Sequence, residues 1–348
     1  MPRLLAGIVF VLVFAFGIPA SAADHRETAL RAARDFVLPR YEALAAATSA
    51  QVRAWAEFCK TSPPRDPAAL DAAFGAAADA WARIEFLRYG PIGAEFRFER
   101  MAHWPERRNA VSRALSGLVA RPDAEVFAPE RFRETSVAGQ GLSALERLLF
   151  EDETRSALRS GAPPAERLCR IGQAIANALA STSRDVADEW RRDTLPALEN
   201  AGEAQAREAV TRFATELMTG LQVVEELKLG GPLGRGIDAA RPSLAEMWRS
   251  GRAARTIRLN LEAARALAAA LLGPQADGEG RTVVDTIGGA SLIAEGTPED
   301  LGEAAADPAR RSRVVLLRDA VASARAVTAA ALPPILDITT GFNSLDGD

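Results

Sequence analysis

Apolar residues recur at spacings of three and four along most of this chain, the period of a helix with one buried face. Leu70, Phe74, Ala77, Trp81 and Ile84 form one such stripe, opened by Asp66-Pro67 as N-cap and first-turn proline and stopped at Tyr89-Gly90-Pro91. Leu168, Ile171, Ile175, Leu179 and Val186 form another, introduced by Ala162-Pro163-Pro164. Val210, Phe213, Leu217, Leu221 and Val224 mark a third within residues 203–229, which Gly230-Gly231-Pro232-Leu233-Gly234 should break sharply. Asp24 and Glu27 stand in a capping-box-like relation at the start of a first helix running to about Cys59, with Pro39 predicted to kink or divide it. Trp104-Pro105-Glu106 should open a further helix with proline at its first position, residues 119–138 should be mostly connector, and 139–150 should be helical. Pro242 should start the helix containing Trp248, Ile257, Leu261 and Leu267, residues 273–282 should be a surface loop, and a last helix should cover about 310–332. The tail after Pro333-Pro334 is non-periodic. No stretch alternates polar and apolar residues as a sheet strand would. The expected class is therefore all-α, with long helices, short loops and two packed antiparallel bundles, approximately residues 24–195 and 200–348.

The first residues follow a different pattern. Arg3 precedes a continuous apolar run from Leu4 to Ile18, and Ala20-Ser21-Ala22 reads as an A-x-A cleavage site. Residues 1–22 are thus read as a secretory signal peptide. The run is short for a spanning helix and no later segment is long and apolar enough, so no membrane anchor is expected after cleavage. A periplasmic location follows. In an oxidising compartment the two cysteines, Cys59 and Cys169, are expected to pair. The bridge would close a long loop and contribute roughly 3–5 kcal/mol through loop entropy.

Composition adds less. Alanine, leucine, arginine and glutamate dominate, which favours helix. A hydrophobic content of 48% over 348 residues supplies a large core. The formal net charge of −4 offers no basic field for a nucleic-acid partner.

Three stretches resemble the imelysin family. They are W-A-R-I-E-F-L-R-Y-G-P-I from Trp81 with R-M-A-H-W-P-E-R-R-N after it, G-Q-G-L-S-A-L-E-R-L-L-F from Gly139, and G-F-N-S-L-D-G-D at the C-terminus. The helix after Pro242, with E-M-W-R-S-G-R and Asn260, also looks familiar, so the resemblance spans nearly all of residues 23–348. It implies a pair of helical bundles, and both cysteine neighbourhoods look like those of members that carry a disulfide. The namesake was described as an exported metal-dependent peptidase with a G-x-H-x-x-E signature, and several imelysin-like proteins are linked to iron regulation and uptake.

Here the signature positions are Gly141, Ser143 and Glu146, so serine replaces the histidine. A neutral hydroxyl is a poor first-row metal ligand beside imidazole, which counts against metal binding and peptidase activity. The chain's two histidines do not replace it: His25 is read as solvated, and His103 as a boundary residue beside Glu106, whose carboxylate complements a helix N-terminus. Ser143 lacks the G-x-S-x-G elbow, because Leu145 fills the last position, and reads as a structural serine. Glu146 lies among leucines and needs a partner, either Arg83 or Arg88 or a bound cation or small molecule. Trp81 reads as core and Trp104 as a rim residue. Gly141, Ser143 and Glu146, with Trp81, Arg83 and Trp104, form the candidate ligand set, with Glu146 as the candidate for holding iron or another divalent cation. The expected function is a periplasmic binding or accessory protein linked to iron uptake, with a small ligand or an envelope protein as partner. An imelysin-type peptidase and a helical interaction scaffold are the alternatives.

Overall fold

The computed structural model describes residues 24–121 and 123–339. The signal-peptide and C-terminal G-F-N-S-L-D-G-D readings lie outside them. Among the described residues every regular element is helical. Helix α1 (His25–Arg31) passes through a π-helical turn at Ala32–Val37 into α2 (Leu38–Lys60). Asp24 caps it, its Oδ1 accepting the Glu27 N–H at 3.0 Å. There follow α3 (Ala68–Ala82), the short α4 (Arg97–Met101), α5 (Ala110–Ala120), the short α6 (Pro129–Arg133), α7 (Leu142–Phe150), α8 (Asp152–Ser160) and α9 (Ala165–Glu189). A second π turn at Trp190–Thr194 leads to α10 (Leu195–Glu199). The later chain holds α11 (Glu203–Gln222), α12 (Gly230–Leu233), α13 (Ala253–Leu272), α14 (Gly278–Glu295), α15 (Leu301–Ala306) and α16 (Arg311–Ile335).

The helices pack as two antiparallel bundles. The first is built on α2, α3 and α9, with α7 and α8 against them. The second is built on α11, α13, α14 and α16. The first helix serves both: α1 and its π turn lie on α11 and α13, whereas α2 lies on α3 and α9. Trp55, Trp81, Trp190, Tyr41, Phe74 and Phe213 are among its largest fully buried side chains. Cys59 and Cys169 are bridged, their Cα atoms 5.9 Å apart, which ties the end of α2 to α9.

Several boundaries differ from those read in the sequence. Pro39 does not divide the first helix; the π turn just before it absorbs the missing hydrogen bond. The second π turn stands before Pro196 in the same way. A third, Val223–Leu229, precedes Pro232 and carries α11 on into α12, so the break expected over residues 230–234 comes at the last of them, Gly234, where φ is 58°. Trp104-Pro105-Glu106 does not open a helix. The chain is irregular there, and α5 starts at Ala110, after Asn109 at φ 53°. Pro242 begins only a 3-10 turn, and left-handed Met247 and Gly251 hold Trp248 outside α13. The glycine-rich loop is shorter than expected, since α14 begins at Gly278. His25 is buried, not solvated: Nδ1 lies 2.6 Å from Glu203 Oε1 and Nε2 lies 2.8 Å from the Leu336 carbonyl.

Candidate functional site

Two adjoining cavities lie between the bundles, and Trp104, Pro105, Leu227 and Glu246 line both. The smaller, of about 300 Å³, is lined by polar and apolar groups together and holds Ser143 and Glu146 of the degenerate signature. Gly141 is the N-cap of α7. A Cβ there would fall 2.7 Å from the Met101 carbonyl oxygen and 2.8 Å from that of Arg100, so close approach of the two backbones demands glycine. One turn on, Ser143 and Glu146 both face this cavity, as their spacing requires.

Glu146 is buried, and its partner is not Arg83 or Arg88. Its Oε1 accepts the Ser250 N–H at 3.0 Å and the Ser250 hydroxyl at 2.8 Å. Burial raises its pKa above the ordinary carboxylate value, against the opposing Ser250 bonds. Glu146 thus fixes the irregular 245–252 segment, which forms one wall of the cavity. Arg83 is diverted elsewhere, to Glu262 at 2.8 Å. Arg88 lies 4.0 Å over the Phe98 ring.

The rest of this cavity is an ion-pair network. Arg147 pairs with Glu106 at 2.9 Å and Glu151 at 2.7 Å, and Arg249 reaches the same Glu151 at 2.9 Å. Burial pushes the Glu106 pKa up, but the Arg147 bond and charge outweigh it and hold the carboxyl below its usual range. Glu106 Oε1 also accepts the Val111 N–H at 3.0 Å, so it serves the start of α5 from the preceding loop instead of from the first turn. His103 lines the cavity too, as do Trp104, half-buried, and Trp248, 44% exposed at the rim.

The larger cavity, of about 390 Å³, has aromatic walls that include the buried Trp81. On its floor is a cluster absent from the sequence reading. Lys228, from the third π turn, pairs with Glu85 and, at 2.6 Å, with Glu246 Oε2, and donates to Asn260 Oδ1 at 2.8 Å. Asn260 in turn donates to the Ala82 carbonyl at 2.6 Å and to Glu85 at 2.7 Å. The Trp104 ring centroid lies 5.6 Å from the ammonium. Burial lowers the Lys228 pKa, but the charges of Glu246 and Glu85 outweigh it and raise it overall. Glu246 is pushed up to about 7 by burial and by the Glu85 charge. A sequence signal existed: Lys228 continues the Leu217, Leu221, Val224 stripe at the next i+4 position, in a chain whose cations are otherwise arginine apart from Lys60.

A metal fits this donor set poorly. The Glu146 oxygen nearest Ser250 is already doubly engaged, Ser143 offers a neutral hydroxyl, and Glu106 is committed to Arg147 and Val111. Among the described residues no three His, Cys, Asp or Glu side chains converge to hold an ion. Between Glu85 and Glu246 the positive charge is the Lys228 ammonium.

Two helical bundles enclosing a cleft between them define the class of protein. The family model described as imelysin matches residues 37–328, and the chain belongs to the imelysin family. The fold is shared with an imelysin-like protein from Psychrobacter arcticum 273-4, at a TM-score of 0.75 and 20% identity, covering 92% of this chain and 98% of that one. It is shared also with a structure named as that of an iron-regulated protein A precursor from Parabacteroides distasonis ATCC 8503, at a TM-score of 0.67 and 14% identity, covering 88% and 95%. No curated protein matches at a significant level. Among the described residues no helix is long and apolar enough to cross a membrane.

Proposed function

We propose that this chain is a periplasmic binding or accessory protein of the imelysin family, exported by its first 22 residues, and that it takes a small polar ligand in the cleft without hydrolysing peptides. The observation that carries this reading is the use made of the signature: Ser143 stands at the histidine position, and Glu146 is spent on holding Ser250 and the cavity wall. Ser143 and Glu146 form the site with Trp104, Gly141 sets the start of α7 beside them, Trp81 lines the adjoining cavity, and Arg83, paired with Glu262, lines neither. A link with iron acquisition is proposed from the family and from the iron-regulated protein that shares the fold. Within that proposal iron would arrive as a chelate, since the donor set suits a solute better than a bare ion. The division into bundles near residue 200 is proposed on packing grounds, with the first helix spanning both.

Trp104 and Trp248 line the smaller cavity and make their fluorescence a natural readout. Titration with ferric citrate should give saturable quenching. Glu146→Ala should weaken it by about tenfold or more, because the wall loses its anchor, and Ser143→Ala by less. If neither substitution changes the titration while both proteins stay folded, the site assignment is wrong.

A further inference from the structure

We infer that the larger cavity is a second binding site adjoining the first across Trp104, selective for an aromatic organic anion whose ring system lies between Trp81 and Trp104 and whose acidic group faces Arg88 and Arg107. The size is right: about 390 Å³ lies within the range of small-molecule sites. Its interior is mostly apolar, with Phe86 and Phe98 beside the two tryptophans. Gly220 makes part of that wall, since a Cβ there would fall 2.7 Å from the Phe86 Cβ and force the ring away. The Trp81 indole N–H is buried without a partner among the described residues, leaving an unpaired donor on the inner wall.

Charge sets the orientation of the ligand. On the floor, Lys228 offsets one of the two carboxylates Glu85 and Glu246, so that end repels an anion when both are ionised. Glu226, an exposed lining carboxylate, only shares Arg325, which lies 3.9 Å from it and 2.7 Å from Glu225. Arg88 and Arg107 also line the cavity, and both are exposed, which places them at its mouth. Neither forms a salt bridge among the described residues, although the Arg88 charge reaches Glu216. Two guanidiniums outside any salt bridge thus stand at the entrance, against the partly matched Glu226, with apolar surface behind them, and a guanidinium pairs well with a carboxylate or sulfonate.

Two fluorescent probes of similar shape test this on the mature chain: anilinonaphthalene sulfonate, an aromatic anion, and phenyl naphthylamine, which is uncharged. Both should bind the wild type. The exposed double substitution Arg88→Gln with Arg107→Gln should weaken the sulfonate by roughly tenfold and the neutral probe by less than about twofold. Val223→Trp, from a half-buried lining position, should block both, with Thr219→Phe as the second filling variant if the first folds poorly. Ser143→Ala, at a position that lines only the smaller cavity, should leave both probes bound, which keeps this test distinct from that of the smaller cavity. Probe binding that survives the filling variants, an equal effect of the arginine substitutions on both probes, or loss of the probes in Ser143→Ala would each overturn the inference.

Discussion

A buried ammonium between two carboxylates is stable only while the set is complete. Removing Lys228 leaves Glu85 and Glu246 facing one another at the floor of the cavity. Lys228→Met should therefore cost about 3–5 kcal/mol at neutral pH, read by urea denaturation. The loss should shrink near pH 5, where Glu246 can take up a proton. The wild type has its own pH signature. Glu246 is pushed up to about 7 and Glu216 to about 6, each chiefly by burial, so the folded chain binds more protons than the unfolded one between pH 4.5 and those values. Their contribution is fully present below the unfolded pKa and is lost as pH rises through the folded one. Thermal stability should fall between pH 5 and pH 8 by an amount on the order of 1–3 kcal/mol, and Glu246→Gln should flatten the slope. A flat profile in the wild type would contradict this reading of the cluster. At this scale the sequence was partly legible. That Glu146 is buried and needs a partner followed from its leucine neighbours, but the partner did not, because Ser250 comes from a segment whose path depends on left-handed Met247 and Gly251.

Helices with strong apolar stripes are placed where their periodicity puts them, as α3, α9 and α11 show. Several misjudged boundaries fall at prolines, and α3 stops at Ala82, short of Ile84. Pro39 and Pro232 each follow a π turn that lets the helix continue, as does Pro196, where no boundary was expected, whereas Pro105 and Pro242 begin no α-helix. A proline fixes its own φ and removes a donor, but whether the chain then widens, stops or starts depends on tertiary neighbours. The third π turn has a functional consequence, since it carries Val223, Val224 and Lys228 into the cleft. The start of α7 is equally constrained. Gly141→Ala would drive a methyl into the Arg100 and Met101 carbonyls, and it should destabilise the fold by about 1–3 kcal/mol, read by chemical denaturation. An unchanged midpoint would mean that the two segments part more easily than their packing indicates.

The whole molecule is tied at several places far apart in sequence. The Cys59–Cys169 bridge spans 110 residues, and its reduction should lower stability by about 3–5 kcal/mol while leaving the helical content in place. Buried His25 joins the start of the first helix to Glu203 on α11 and to Leu336 after α16, so His25→Ala should cost about 1–3 kcal/mol and loosen the second bundle first, as hydrogen exchange would report. The all-α class and the paired bundles were legible because they rest on periodicity summed over long segments. The cleft was not, because its walls come from residues 81–109, 143–147, 219–231 and 243–260, which meet only when the bundles pack.

A cleft that takes a solute and holds no catalytic metal, as proposed for this imelysin-family protein, is tested most directly by metal content, measured by elemental mass spectrometry on tag-free purified protein, as wild type and as Glu146→Ala. Neither protein should carry stoichiometric zinc or iron. About one zinc or iron per wild-type chain, absent from Glu146→Ala, would contradict the proposal and restore the metallopeptidase reading.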